Sequence, residues 1–246
     1  MTNFNYFYRL QLADALKGVN INDTGAVAFV CLSGTPTLAT LLDQYGNSLA
    51  NPVQLTSGLL NFQVAESNAS GPAAVDIYGM TAGGYWFDYK GVSPSGSNEI
   101  FVDTSLKRMR MKIPFAIGNT GPAGACVAAT EFKIGLSLPA AGLVMLDRLH
   151  GLGVLWTTLQ SGKTLSFGVL STDTGGVAAG FINASAQPTA PSQFVIGTNG
   201  SLFSTNAPYA SDSETGSAAN GLDLSLTLSS GTTTGAGFIL APYELY

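Results

Sequence analysis

The sequence predicts an all-β protein built from two β-sandwich or jelly-roll-like lobes, preceded by a short N-terminal helix or arm. Three observations carry this expectation. In Leu222-Asp-Leu-Ser-Leu-Thr-Leu228 the leucines fall on one side of a period-two ribbon, and Asp223, Ser225 and Thr227 fall on the other. That is the pattern of a half-buried strand. Short apolar runs recur along most of the chain between turn-forming clusters such as Ser33-Gly-Thr-Pro36, Tyr45-Gly-Asn-Ser48 and Ala82-Gly-Gly84, the punctuation of sandwiches and barrels. With 246 residues, the chain can bury one large β core or two smaller ones without disulfide or metal staples.

The first element is the exception to the β pattern. Phe4 to Lys17 sets apolar residues at helical spacing ahead of Gly18, so residues 1–24 are expected to form a short helix or an ordered arm. Its aromatic cluster, Phe4, Tyr6, Phe7 and Tyr8, suits either a flap packed on the same chain or an arm reaching a neighbour.

An N-terminal lobe is expected over residues 25–113, with strands at Ala26 to Leu32, Leu38 to Leu42, Leu59 to Val64, Val75 to Tyr78, Tyr85 to Tyr89, Glu99 to Val102 and Arg108 to Ile113. Pro114, Gly118, Gly121, Pro122 and Gly124 then cluster as a boundary. The C-terminal lobe, 114–246, is expected to hold strands at Leu143 to Leu146, Val154 to Leu159, Leu165 to Leu170, Val177 to Ile182, Gln193 to Ile196, Leu222 to Leu228 and Gly237 to Leu240. The Ser/Asn/Gly/Ala-rich stretch 198–220 reads as an exposed loop. The last two strands are expected to form a hairpin around Ser229 to Gly235. Gly235 and Gly237 would allow a close approach to a neighbour, and Pro242 would end the pairing. Tyr243 and Tyr246 would then sit in a tail that latches over the sandwich or touches the next subunit.

Composition narrows the function classes. Charged residues are only 10% of the chain, against an average of about 25%. A weakly charged surface favours burial in an assembly over life as a dispersed monomer. The net charge of −5 opposes a general nucleic-acid partner, which needs a basic field. Lys107-Arg-Met-Arg-Met-Lys112 concentrates four of the ten basic residues. As a strand it would place Arg108, Arg110 and Lys112 on one face and Met109, Met111 and Ile113 on the other, as a solvated face, a dock for an acidic protein or a phosphate site. No apolar run reaches the length of a membrane span, and the N-terminus has no signal-peptide pattern, so a soluble protein made in the cytoplasm is expected with no membrane partner.

Enzyme chemistry finds little equipment. His150 is the sole histidine, so any triad must use it, and its Asp147-Arg-Leu-His-Gly151 setting has no serine elbow. Gly151-Leu-Gly153 lacks the third glycine of a dinucleotide loop. Cys31 and Cys126 are too few and too far apart for a disulfide framework and read as buried thiols. Asp173 with Thr174, and Asp212 with Ser213 and Glu214, offer oxygen ligands of the kind calcium takes, but solvated loop acids are the plainer reading. Tyr85-Trp-Phe-Asp-Tyr89 could stack on a sugar, although alternation sends Tyr85, Phe87 and Tyr89 to one face like a core strand. No catalytic residue, cofactor or metal is assigned.

Two groups of segments resemble tailed-bacteriophage virion structural proteins. In the first half these are Leu38 to Val53, Thr56-Ser-Gly58, Phe62, Val75-Asp-Ile-Tyr78 and Gly84-Tyr85. In the second half they are Phe167-Gly-Val-Leu-Ser171, Asp173-Thr-Gly-Gly176, Gly180-Phe181 and Gly235 to Tyr243. Val177-Ala-Ala-Gly180 stands where such a segment would carry an acidic turn, so the resemblance implies no metal there. It does imply a non-enzymatic capsid cement or decoration protein on the outer capsid surface of the virion. Such a protein clamps neighbouring major capsid protein subunits and commonly assembles as a homotrimer. The alternative it allows is a tail, fibre or neck component with glycan recognition. On this reading the interface candidates are Phe4, Tyr6, Phe7, Tyr8, Arg108, Arg110, Lys112, Tyr243 and Tyr246.

Overall fold

In a computed structural model, the described residues are all except 1–3, 67–73, 95–96, 139–142, 147–150, 174–175, 199, 203–208, 212–221 and 246. The fold is all-β, with no helix among the described residues. Two compact units divide it, Met1–Leu106 and Lys107–Tyr246.

The first unit contains β1 (Phe4–Asp14), β2 (Val27–Leu32), β3 (Leu41–Leu42), β4 (Ser48–Leu49), β5 (Val53–Gln54), β6 (Leu59–Glu66), β7 (Val75–Met80), β8 (Trp86–Val92) and β9 (Ser97–Val102). They form two sheets, ordered β4-β3-β6-β1-β9 and β5-β2-β7-β8. Period-two alternation turns Tyr8, Leu10, Leu12, Leu60, Phe62, Ile100 and Val102 of one sheet into a core shared with Ala28, Val30, Val75, Ile77 and Phe87 of the other.

The expected N-terminal helix is instead strand β1, and residues 1–24 are not a separate arm. Phe4 to Lys17 satisfies both periods, because Tyr8, Leu10 and Leu12 also alternate. Two neighbours decide between them: β1 pairs antiparallel with β6 and parallel with β9, so main-chain groups on both of its sides enter ladders.

The second unit contains β10 (Arg108–Ala116), β11 (Thr120–Gly121), β12 (Gly124–Ala125), β13 (Phe132–Leu138), β14 (Leu143–Leu146), β15 (Gly153–Thr158), β16 (Thr164–Val169), β17 (Ile182–Ala186), β18 (Gln193–Ile196), β19 (Tyr209–Ser211), β20 (Leu222–Leu228) and β21 (Ala236–Leu245). One sheet runs β18-β15-β21-β14-β19 with β10 also on β21, and another runs β13-β20-β16-β17. β11 and β12 form a small ribbon.

Two expectations change here. The division falls before β10, not after Ile113, because β10 pairs with β21 along its whole length from Arg108↔Glu244 to Ala116↔Ala236. The expected terminal hairpin does not form either: β20 lies between β13 and β16, whereas β21 is central to the other sheet. The turn between them therefore crosses from one sheet to the other.

Pro242 does not stop β21. The Leu245 N–H donates to the Lys107 carbonyl at 2.8 Å, so antiparallel alternation points the Pro242 nitrogen away from β10. On that far side β15 pairs as far as Leu240 and β14 begins at Tyr243. The missing N–H of Pro242 thus falls where β21 changes neighbours. Close approach at Gly237 is as expected: a Cβ there would run into the Leu155 carbonyl oxygen.

Two further differences come from packing. Val177–Gly180 is a turn laid on β16, not the start of a strand. Gly168 makes room for it, since a Cβ on Gly168 would collide with the Val177 carbonyl oxygen. β13 is an added strand in which Phe132, Ile134, Leu136 and Leu138 are buried and the residues between them are half-buried.

Candidate interaction surface

Alternation in β1 splits the N-terminal aromatic cluster. Tyr8 is 1% exposed and stacks on Phe62 with centroids 4.8 Å apart, so it is core rather than interface. Tyr6 packs half-buried against the same core, and Phe7 on the opposite face is 41% exposed. The Phe4 side chain lies outside the described residues. The Tyr85–Tyr89 run behaves likewise: Phe87 is buried, with Tyr85 and Tyr89 packed against the core.

β10 does place Arg108, Arg110 and Lys112 on one face, with Met111 and Ile113 buried on the other. Each cation has a neighbour within its own sheet or the adjoining turn. Arg108 Nε lies 2.6 Å from Glu244 Oε1, and Lys112 Nζ sits 4.3 Å from the centroid of the Phe238 ring. The Arg110 guanidinium lies over Gly151. The register that faces Pro242 away from β10 also turns the main-chain groups of Arg108, Arg110, Lys112 and Pro114 away from β21. Cations and proline on a sheet's last strand oppose the addition of another strand. The basic row is therefore an edge guard, an assignment that needs the pairing partner and could not be read from charge alone.

Tyr243, expected in a tail contact, is fully buried in β21, and its hydroxyl donates to Met109 Sδ at 3.5 Å. Tyr246 lies outside the described residues, as do His150, Thr174, Asp212, Ser213 and Glu214.

At the other end of this sheet stands β18, whose Phe194 and Ile196 are 40% and 53% exposed. It pairs with β15 from Gly153↔Ile196 to Trp156↔Gln193. Other large apolar side chains stand in water on turns and strand faces, with Tyr45 80% exposed, Leu16 67%, Val19 55%, Phe101 48% and Leu106 48%.

Several of the described acids serve structure. Asp76, only 4% exposed, accepts from Ser33 Oγ (3.1 Å), the Gly34 N–H (3.0 Å) and the Gly91 N–H (2.9 Å). Burial pushes its carboxyl up, but the Gly91, Gly34 and Ser33 donors outweigh that and hold it below the ordinary value. Asp14 is likewise held low, first by the Thr104 hydroxyl donating at 2.5 Å and then by the N–H groups of Lys17 and Leu16. Asn51 stands in for a strand, accepting from the Val30 N–H and donating to the Val30 and Ala39 carbonyls.

In the second unit, Glu131 accepts from Ser225 Oγ at 2.7 Å and from both the hydroxyl and the N–H of Ser171. These donors overcome burial and lower its pKa. Asp223 holds Lys133 Nζ and Ser137 Oγ, and its N–H donates to Asp173 Oδ2 at 2.9 Å. Asp173 is thus engaged in a loop contact. Among the described residues, no cluster of three or more His, Cys, Asp or Glu is placed to hold a metal ion.

Both cysteines are buried thiols, and burial alone raises the Cys126 thiol to about 12. Sequence reasoning missed Asp76, Asn51 and Glu131 because the partners named above lie 12 to 94 residues away. It marked β18 as a strand but not as an edge. Compared with protein-family models, curated proteins and solved structures, the chain matches none.

Proposed function

We propose that this chain is a non-enzymatic structural protein of a tailed-bacteriophage virion. In this reading it is a cement or decoration protein on the outer capsid surface, with the major capsid protein and further copies of itself, as a homotrimer, for partners. The observation that carries the reading is the surface. Charged residues are 10% of the chain, while side chains as large as Tyr45, Leu16 and Phe101 stand in water at 80%, 67% and 48% exposure. Such a surface gains by burial in an assembly, and a shell supplies partners in fixed array. The resemblance of Leu38 to Val53 and Gly235 to Tyr243 to phage virion proteins supports the same direction.

The mechanism is summed contact. Each unit has its own sheets, giving rigid surfaces from which loops and apolar side chains project. Copies joined in one oligomer bind successive shell subunits at high effective concentration, so contacts that are weak singly hold the shell jointly. Quantitative mass spectrometry of purified particles tests the reading. A copy number comparable with the major shell protein is expected. A few to a few dozen copies would move the protein to the tail, fibre or neck, and absence from particles would end the virion assignment.

A further inference from the structure

We propose that the edge of β18 is a self-association site, through which two copies of this chain pair antiparallel about a two-fold axis at Val195. The argument begins with main-chain chemistry. The Gly197 N–H donates to the Leu152 carbonyl at 3.0 Å, so alternation along the β15–β18 ladder turns Gln193 and Val195 towards β15. The N–H and C=O groups of Phe194 and Ile196 then point away from it. Among the described residues β18 ends the sheet, and the main-chain bond that β17 makes on that side falls beyond Ile196, where the Asn183 N–H donates to the Thr198 carbonyl at 2.8 Å. The ligand that matches a row of alternating donors and acceptors is another extended strand.

The identity of the second strand follows from charge and symmetry. The last strand on the other side of this sheet carries Arg108, Arg110, Lys112 and Pro114, and two such edges would repel each other. Gln193-Phe-Val-Ile196 carries no charge at all, so a second copy meets it without repulsion. An antiparallel strand is complementary to itself under a two-fold, as an isologous contact requires. With Val195 on the axis, Phe194 of each copy lies opposite Ile196 of the other. In that register both residues present their outward main-chain groups, forming two reciprocal hydrogen-bonded pairs. Phe194 and Ile196 share one face of β18, the face on which the Phe194 ring covers Gly153. Pairing therefore brings four apolar side chains together on one face as aromatic–β-branched cross-strand pairs. The contact does not depend on the virion reading, and it differs from the three-fold contact proposed there.

Sedimentation of the full chain over a range of concentrations tests the site. The wild type is expected to show a concentration-dependent dimer. Ile196→Lys and Phe194→Glu should each weaken it about tenfold or more. Mixing the two variants should restore association, because the ammonium introduced in one copy then faces the carboxylate introduced in the other. Ile196→Pro should weaken the dimer while retaining the wild-type circular dichroism spectrum, since the N–H it removes points away from β15. A wild type that stays monomeric, a dimer or trimer indifferent to all three substitutions, or failure of the mixed pair to reassociate would overturn the proposal.

Discussion

The two units use their acids differently. In Met1–Leu106, Asp14, Asp43 and Asp76 accept from main-chain N–H groups and hold turns in place. In Lys107–Tyr246, Glu131 and Asp223 accept mainly from side chains across one sheet, from Ser225, Ser171, Ser137 and Lys133. A main-chain donor left without its acceptor inside a turn cannot turn to water without deforming the turn. A serine hydroxyl can rotate to another acceptor. Equal numbers of hydrogen bonds should therefore carry unequal weight, with the first unit the more exposed to loss of a single carboxylate.

The sharpest test is Asp76→Ala. It removes the acceptor of the Gly34 and Gly91 N–H groups, which sit on exposed residues around a carboxylate that is itself 4% exposed, at a cost of about 2 kcal/mol. The two buried thiols report the units separately. Cys31 of the first unit should become reactive to a thiol reagent faster than in the wild type, while Cys126 of the second keeps its wild-type rate. Equal acceleration of both would show that the units open together and would break the contrast.

Acid should reproduce this difference more weakly. Asp14, Asp43, Asp76 and Asp103 in the first unit, and Glu131 in the second, have folded pKa values lowered below their ordinary ones. The unfolded chain therefore binds more protons on acidification. The stability these groups contribute is full above about pH 5 and drains away as pH falls through the folded values. Four such groups against one predict that Cys31 gains reactivity at a higher pH than Cys126, measured with a dithiopyridine that reacts in acid. The reverse order would count against the assignment.

The smallest effect is expected at the edge guard. Arg108 is 65% exposed where it meets Glu244, and exposed ion pairs contribute about 0.5 kcal/mol. Arg108→Ala should leave thermal stability nearly unchanged while making the protein more prone to associate as salt rises. A large loss of stability would make the pair structural rather than protective.

Some of this was legible in the residues themselves. β20 could be read from its four leucines, and the fold class from repeated alternation between turn clusters, because a strand's period and a turn's backbone needs are local. Buried cysteines in apolar surroundings were legible for the same reason. β1 was not: its aromatics and leucines satisfy both 3.6 and 2.0 periods, and only β6 and β9 on either side select the strand. Asp76 was not either, since a carboxylate is recognised as a hub only when Ser33, Gly34 and Gly91 have been folded around it.

By itself, then, the sequence determined the all-β class, several of the longer strands such as β2, β6 and β20 with their apolar faces, and how little charge the chain carries. Tertiary structure alone decided which strands are neighbours. That choice moved β21 out of a hairpin with β20 and into the centre of another sheet, and it drew the unit boundary ahead of Arg108. Among the described residues it also made one outer strand, β10, a guarded edge and another, β18, an uncharged one. The reason is physical: hydrophobic alternation is written along a single strand, whereas a hydrogen-bond ladder is a property of two, and an edge is defined only by the absence of a third.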